Sequence, residues 1–291
     1  MEPKVVADLP CQVGENPLWH PDEQCLYWTD IPAARLHRYT PASSAVETFD
    51  TGLPVGGFTL QSDGALLLFM ARGAVRLWRG GRFVGTVIDE LAGELDNRFN
   101  DVIADPGGRV YCGTMSTPSR AGRLYRLDRD GSIVPLLDGV GTSNGMGFTL
   151  DRRRFFHTDT RRHEIRCFEY EAATGAIRNP RVFVHTPERP EEGRPDGMTV
   201  DAEGCVWSAR WDGGCLVRYS PQGEEILRIR FPARKVSSLT FGGADCTDIY
   251  VTTAGGQNRP DEGSKAGALF VLNLGIRGLP EFRSAIAVAG A

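Results

Sequence analysis

Four oxygen-bearing side chains recur in one local context. Glu15 in VGENPLW, Asn100 in DNRFND, Asn144 in TSNGM and Asp196 in RPDGM each stand just ahead of an apolar pair that opens a strand-like stretch. One Asn or Asp in such a place is ordinary turn chemistry, because both side chains bond to neighbouring backbone. Four in the same register point to a shared task. Two carboxylates and two amide carbonyls are hard oxygen donors, and completed by water they suit Ca²⁺ or an octahedral Mg²⁺ or Mn²⁺.

Other residue patterns carry less weight. The five histidines, at 20, 37, 157, 163 and 185, show neither HxH nor HExxH spacing, which argues against a zinc protease site. His157 and Asp159 read as structural hydrogen-bonding residues of a strand. The stretches GGRF, GGAD and AGGQ lack the context of a nucleotide-binding loop, so turns account for them. Seven cysteines form an odd set without a CxxC pair, as expected of core residues in a reducing compartment.

The positioning elements follow from repetition. Apolar residues alternate in short runs bounded by Gly, Pro, Asp or Asn, and long amphipathic helices are missing, so the chain reads as all-β. Strands are predicted at Cys25–Thr29, Arg35–Tyr39, Ala65–Met70, Val75–Trp78, Arg109–Gly113, Arg123–Leu127, Arg154–His157, Glu164–Tyr170, Cys205–Ala209, Cys215–Tyr219 and Asp248–Thr252. A unit consisting of a polar entry, an apolar pair, an Asp-rich turn, a strand, a corner and a second strand recurs. Its copies start at Asn16, Gly56, Asn100, Gly145, Gly197 and Ser237. Such spacing is that of four-stranded propeller blades and predicts a six-bladed β-propeller, one domain over 1–291. Lys4 to Leu9 would close the ring as outer strand of the last blade. A β-sandwich, the other all-β option, has no need of six similar units. In a propeller the inner strands converge on the axis, so the four polar entries can meet in one pocket.

Composition narrows the function. The 291 residues include 33 basic and 37 acidic side chains for a net charge of -4, without a like-charge block, which disfavours nucleic acid. No apolar run is long enough for a membrane helix, and the N-terminal stretch lacks the pattern of an export signal, so a cytoplasmic protein is expected. No obligate protein partner is evident. The five tryptophans read as packing between blades, with Trp211 in ARWDGG close enough to the entry side to line the pocket instead. The segment ERPEEGRP, 188–195, reads as a loop over the pocket mouth.

Several motifs in order now carry a resemblance. GENPLW at 14–19, NRFND at 97–101 followed by DPGGR and GTM, SNGM at 143–146, FHTDT at 156–160, PDGM at 195–198, DAEGCVW at 201–207 and FGG at 241–243 are similar to the senescence marker protein, gluconolactonase and luciferin-regenerating enzyme family, which includes regucalcin and bacterial sugar lactonases. The resemblance spans nearly the whole chain. It implies a single divalent cation on the propeller axis, Ca²⁺ foremost, with Zn²⁺, Mg²⁺ or Mn²⁺ as alternatives. It also implies Glu15, Asn144 and Asp196 as metal ligands, Asn100 as a further ligand or substrate contact, and Arg98 as the substrate-binding arginine. Asp196 is the implied general base, and Asp101 is expected to support its loop. Animal members carry acidic residues shortly after GTM, where this chain has Ser116, Thr117 and Pro118.

The activity implied is metal-dependent hydrolysis of a small sugar lactone, an aldonolactone such as glucono-1,5-lactone, to the aldonic acid. Two alternatives share the cation site: a phosphotriesterase-like hydrolase and a non-catalytic calcium-binding regulatory protein. Arg98 favours an enzyme, since a calcium buffer has no use for a cation beside its ion. A propeller scaffold for protein partners would not need the four entry residues.

Overall fold

A computed structural model describes residues 2–288 and shows six four-stranded antiparallel sheets arranged as the blades of a propeller. The innermost strands are Gly14–His20, Val55–Leu60, Phe99–Ala104, Ser143–Phe148, Arg194–Val200 and Lys235–Gly242. Every strand predicted from alternation is present, as the second or third strand of its blade, with ends shifted by at most two residues. Their side chains are buried on both faces between blades, which is why they read as apolar runs. Lys4–Ala7 pairs antiparallel with Leu269–Asn273 and is the outer strand of the sixth blade.

The turns follow the Asp-rich signature. Asp105 Oδ1 accepts the backbone N–H groups of Gly107 (2.8 Å) and Arg109 (2.9 Å), and Asp201 Oδ1 does the same for Glu203 and Cys205. Apolar clusters fill the spaces between successive blades. One, for example, joins Leu68 and Met70 of the second blade to Tyr27 and Leu36 of the first. Trp19, Trp28, Trp78 and Trp207 are buried in these clusters. All seven cysteines are free and six are buried.

Around the axis the strands approach too closely for side chains. A Cβ on Gly145 would lie 2.2 Å from the backbone nitrogen of Met198, and one on Gly197 would lie 2.1 Å from Ser238 Oγ. The glycine of each NGM and DGM motif is thus the contact between the inner strands of neighbouring blades.

After the last blade the chain crosses the end of the propeller opposite the strand entries. Ala202 donates to Arg277 O, Ser284 to Leu60 O and Ala285 to Gly108 O, so residues 277–285 touch the fifth, second and third blades in turn. Gln61 holds Ile286 by both backbone groups (3.0 and 3.1 Å). Among the described residues, no helix is long and apolar enough to cross a membrane.

Candidate metal and substrate site

All six innermost strands carry a register irregularity near their start. In four of them it falls on the polar entry: between Glu15 and Leu18, Phe99 and Val102, Asn144 and Met146, and Pro195 and Met198. A bulge re-aims the side chain it contains and breaks the strict in-out alternation of a strand. Here it turns Glu15, Asn100, Asn144 and Asp196 toward the axis, where all four line one cavity of about 320 Å³. Arg98, Thr160, Arg161, Arg194 and Trp211 complete much of its wall. A larger cleft of about 420 Å³ lies against the C-terminal tail, walled by Met146, Phe148 and Leu150, and holds none of the candidate residues.

The loops entering these strands are themselves anchored. Asp30 accepts the N–H groups of Gln12 and Val13 (3.1 Å each) just before Glu15, and Asp159 accepts those of Gly141 (3.0 Å) and Thr142 (3.2 Å) just before Asn144. His157 Nε2 lies 2.8 Å from Ser143 Oγ, fully inside the protein. His157 and Asp159 therefore brace the fourth blade and do not line the cavity.

The two amides are held differently. Asn144 donates from Nδ2 to Thr160 Oγ1 (3.0 Å), and its Oδ1 is buried without a hydrogen-bond partner. Asn100 donates from Nδ2 to Ser143 O (2.8 Å), while its Oδ1 accepts from Arg98 Nη1 (2.6 Å). Arg98 also donates to Phe99 O (2.9 Å) and forms no ion pair among the described residues. Thr160, which sequence reasoning did not single out, donates onward to Pro195 O (2.8 Å) and so ties Asn144 to the residue preceding Asp196.

Charge is concentrated here. Burial pushes the Glu15 carboxyl well above its ordinary range, and the nearby Asp101 adds to the shift. Asp196 is raised likewise, by burial first and then by Glu15 and Asp101. Burial takes Asp101 up to about 7 against the opposing pull of Arg98, whose own affinity for its proton is lowered by burial. Asp101 does not support its loop as expected. Its Oδ1 has no partner, and Asp101 lines a small axial chamber of about 50 Å³ behind the ligand set, whereas Asn100 lines the cavity.

Three acids, one guanidinium and an unpaired amide oxygen in a buried space call for a further positive charge. The set is all oxygen: among the described residues no group of three or more His, Cys, Asp or Glu side chains forms a metal cluster, so a cation here would rest on mixed carboxylate and amide donors. Glu15, Asn144 and Asp196 fit an oxygen-seeking divalent cation, and Asn100 has one Oδ1 lone pair beyond its bond to Arg98.

The model of the SMP-30/gluconolactonase/LRE-like region matches residues 13–255. The chain belongs to that family. Its relatives include the pentonolactonase XacC of Haloferax volcanii, 49% identical with 96% of this chain and 97% of that one covered, and regucalcin of Gallus gallus, 34% identical over 93% and 94%. Among solved structures, a calcium-binding regucalcin from Agrobacterium tumefaciens superposes with a TM-score of 0.88 at 25% identity, covering 97% of each chain. The fold of this family member is therefore shared with that relative over 97% of the chain, and every candidate residue lies within the matched residues 13–255.

Proposed function

We propose that this protein opens a small sugar lactone to its aldonic acid with the help of one divalent cation. The kinship makes it a lactone hydrolase, since its 49% identical relative bears the name of a pentonolactonase. The observation that carries the metal-dependent reading is the orphaned Oδ1 of Asn144 beside the buried carboxylates of Glu15 and Asp196, in a cavity sized for a small molecule. Free cysteines throughout fit the cytoplasm.

Ring opening needs a water oxygen to bond to the ester carbonyl carbon, the ring C–O bond to break, and the ring oxygen to leave as a hydroxyl. When bound, a cation at Glu15, Asn144 and Asp196 would supply Lewis-acid polarisation of the carbonyl and charge for the developing oxyanion. Asp196 takes the proton of the attacking water, a role that suits a carboxylate whose buried surroundings raise its proton affinity. The same carboxyl then returns a proton to the departing ring oxygen. Arg98 presents its planar fork to substrate oxygens and to the carboxylate of the product, with Asn100 fixing its direction through the 2.6 Å bond.

The test is proton release from five- and six-carbon aldonolactones by metal-stripped protein, with Ca²⁺, Mg²⁺, Mn²⁺ or Zn²⁺ added back and spontaneous opening subtracted. Turnover that requires a cation and vanishes in Glu15→Gln and Asp196→Ala supports the reading. Tight cation binding without turnover of any lactone overturns it and leaves a calcium-binding regulator. Turnover of phosphotriesters in place of lactones would also overturn it.

A further inference from the structure

Of the five tryptophans, four are buried and one is not. Trp211 is half-buried and lines the cavity, across the inner pair from Arg194, its partner in strand register. A large aromatic ring left partly in water at the mouth of a polar cavity is surface waiting for an apolar partner. Its other apolar neighbours in the wall are only Val13 and Met115.

The ring is also held from behind. The ammonium of Lys235 stands over it at 5.6 Å from the centroid, close enough for cation–π attraction. Lys235 is buried, and an ammonium in that position needs carboxylates: its Nζ meets Asp212 at 2.9 Å and Glu262 at 2.6 Å. Arg234 joins the same two acids, at 3.5 Å to Asp212 and 2.8 Å to Glu262, so two cations face two anions. One face of Trp211 is thereby occupied by protein, and the pocket borders the ring elsewhere.

We propose that Trp211 is the stacking wall for the closed sugar ring, with Lys235 as the residue that positions it. A cyclic lactone of a polyhydroxy acid has two kinds of surface: hydroxyl and carbonyl oxygens, which the amides, carboxylates and arginines of this cavity address, and a patch of C–H bonds, which they do not. Trp211 takes that patch. Hydrolysis opens the ring into a flexible chain without such a flat face, so the wall distinguishes the substrate from its own product. The inference rests on the lactone-opening reading and defines its substrate class as closed five- or six-membered rings.

The experiment pairs kinetics with intrinsic fluorescence in Trp211→Ala, Trp211→Phe, Lys235→Met and Lys235→Arg. Thermal melts are run alongside so that a misfolded variant is recognised, and Trp211→Phe serves if Trp211→Ala fails to fold. Trp211→Ala is expected to raise KM roughly tenfold with kcat within about twofold, as for lost binding common to ground and transition states. Trp211→Phe restores most of that loss. Lys235→Met raises KM by about threefold at unchanged kcat, and Lys235→Arg restores it. In the wild type a non-hydrolysable aldonolactam changes tryptophan emission, the matching linear alditol does not, and Trp211→Phe abolishes the change. Equal KM in wild type and Trp211→Ala, or an alditol as effective as the lactam, overturns the proposal. If the wild type opens no lactone, the functional reading falls, while the lactam titration still decides the stacking wall.

Discussion

The Nδ2 of Asn144 donates to Thr160 Oγ1 at 3.0 Å, and this one bond decides which end of the amide faces the cavity. Because the nitrogen is engaged, the oxygen points inward and has no partner. Thr160 in turn donates to Pro195 O, so a single hydroxyl sets the orientation of one candidate ligand and the approach of the next, Asp196.

Thr160→Val keeps the shape and removes the hydroxyl. Outer partners of this kind typically account for roughly 10–100-fold in metal affinity. A weakening of divalent-cation binding by about tenfold or more is expected, with a loss of about 1–3 kcal/mol in stability from the unpaired Pro195 carbonyl. Calorimetric titration and a thermal melt measure the two. Unchanged cation affinity would show that Asn144 orients itself without Thr160.

Gly145→Ala addresses the close approach of blades. Its Cβ would sit 2.2 Å from Met198 N, a backbone atom that cannot swing aside. A cost of about 3 kcal/mol, the upper part of the range for overpacking, is expected. Gly52→Ala is the control for surface space, since nothing lies within 4 Å of its Cβ, though its φ of +69 brings backbone strain of its own. A melting temperature for Gly145→Ala equal to wild type would contradict the geometry.

These two cases mark where the sequence is legible. The second and third strands of the first five blades, and the second strand of the sixth, read directly from alternation, because burial on both sides makes them apolar. Outer strands such as Ala45–Asp50 and Glu225–Arg230 were missed, since at an exposed edge they carry charge in mixed order. The entry residues were visible through repetition, yet the bulges that aim them have no signature of their own in a single strand. Asp101 shows the cost of that gap: its neighbour Asn100 lines the cavity, while Asp101 lines the chamber behind. Thr160 lies within FHTDT, so its motif was visible, but its role depends on Asn144, 16 positions earlier, being folded against it. The tail offered no pattern, because many of its bonds to the fifth, second and third blades are made by backbone groups, which any sequence supplies.

The tail leads to the next prediction. Gln61 is buried and bonds both the N–H and the C=O of Ile286, so Gln61→Ala strands two backbone groups as well as cutting the tail loose. About 2 kcal/mol or more of destabilisation is expected. Hydrogen exchange of residues 284–287 should rise in the variant, whereas the inner strand Ser143–Phe148 stays protected. Equal exchange in both proteins would show that the tail is held by other contacts.

Last, the cluster of buried acids predicts how stability depends on pH and on the cation. Glu15 and Asp196 hold protons well above the ordinary carboxylate range, and Asp101 and the half-buried Glu281 do so to about 7. In the folded state each keeps its proton at a pH where the unfolded chain has lost it, so stability is fully present below the unfolded values and is lost as pH rises through the folded ones. Buried His37 and His157, held near 4, act in the opposite sense, but only below their ordinary value of 6.5. Between about pH 6.5 and 8 the metal-stripped protein should therefore melt lower with each step upward, by roughly 5 °C in total. Added cation should flatten this slope, because it favours the ionised ligands that burial otherwise penalises. Glu15→Gln should flatten it without cation, by removing one of the acids that repel each other. A stripped wild type whose melting temperature is level or rising over that interval would mean that these carboxyls titrate normally, and that no buried charge there awaits a counter-ion.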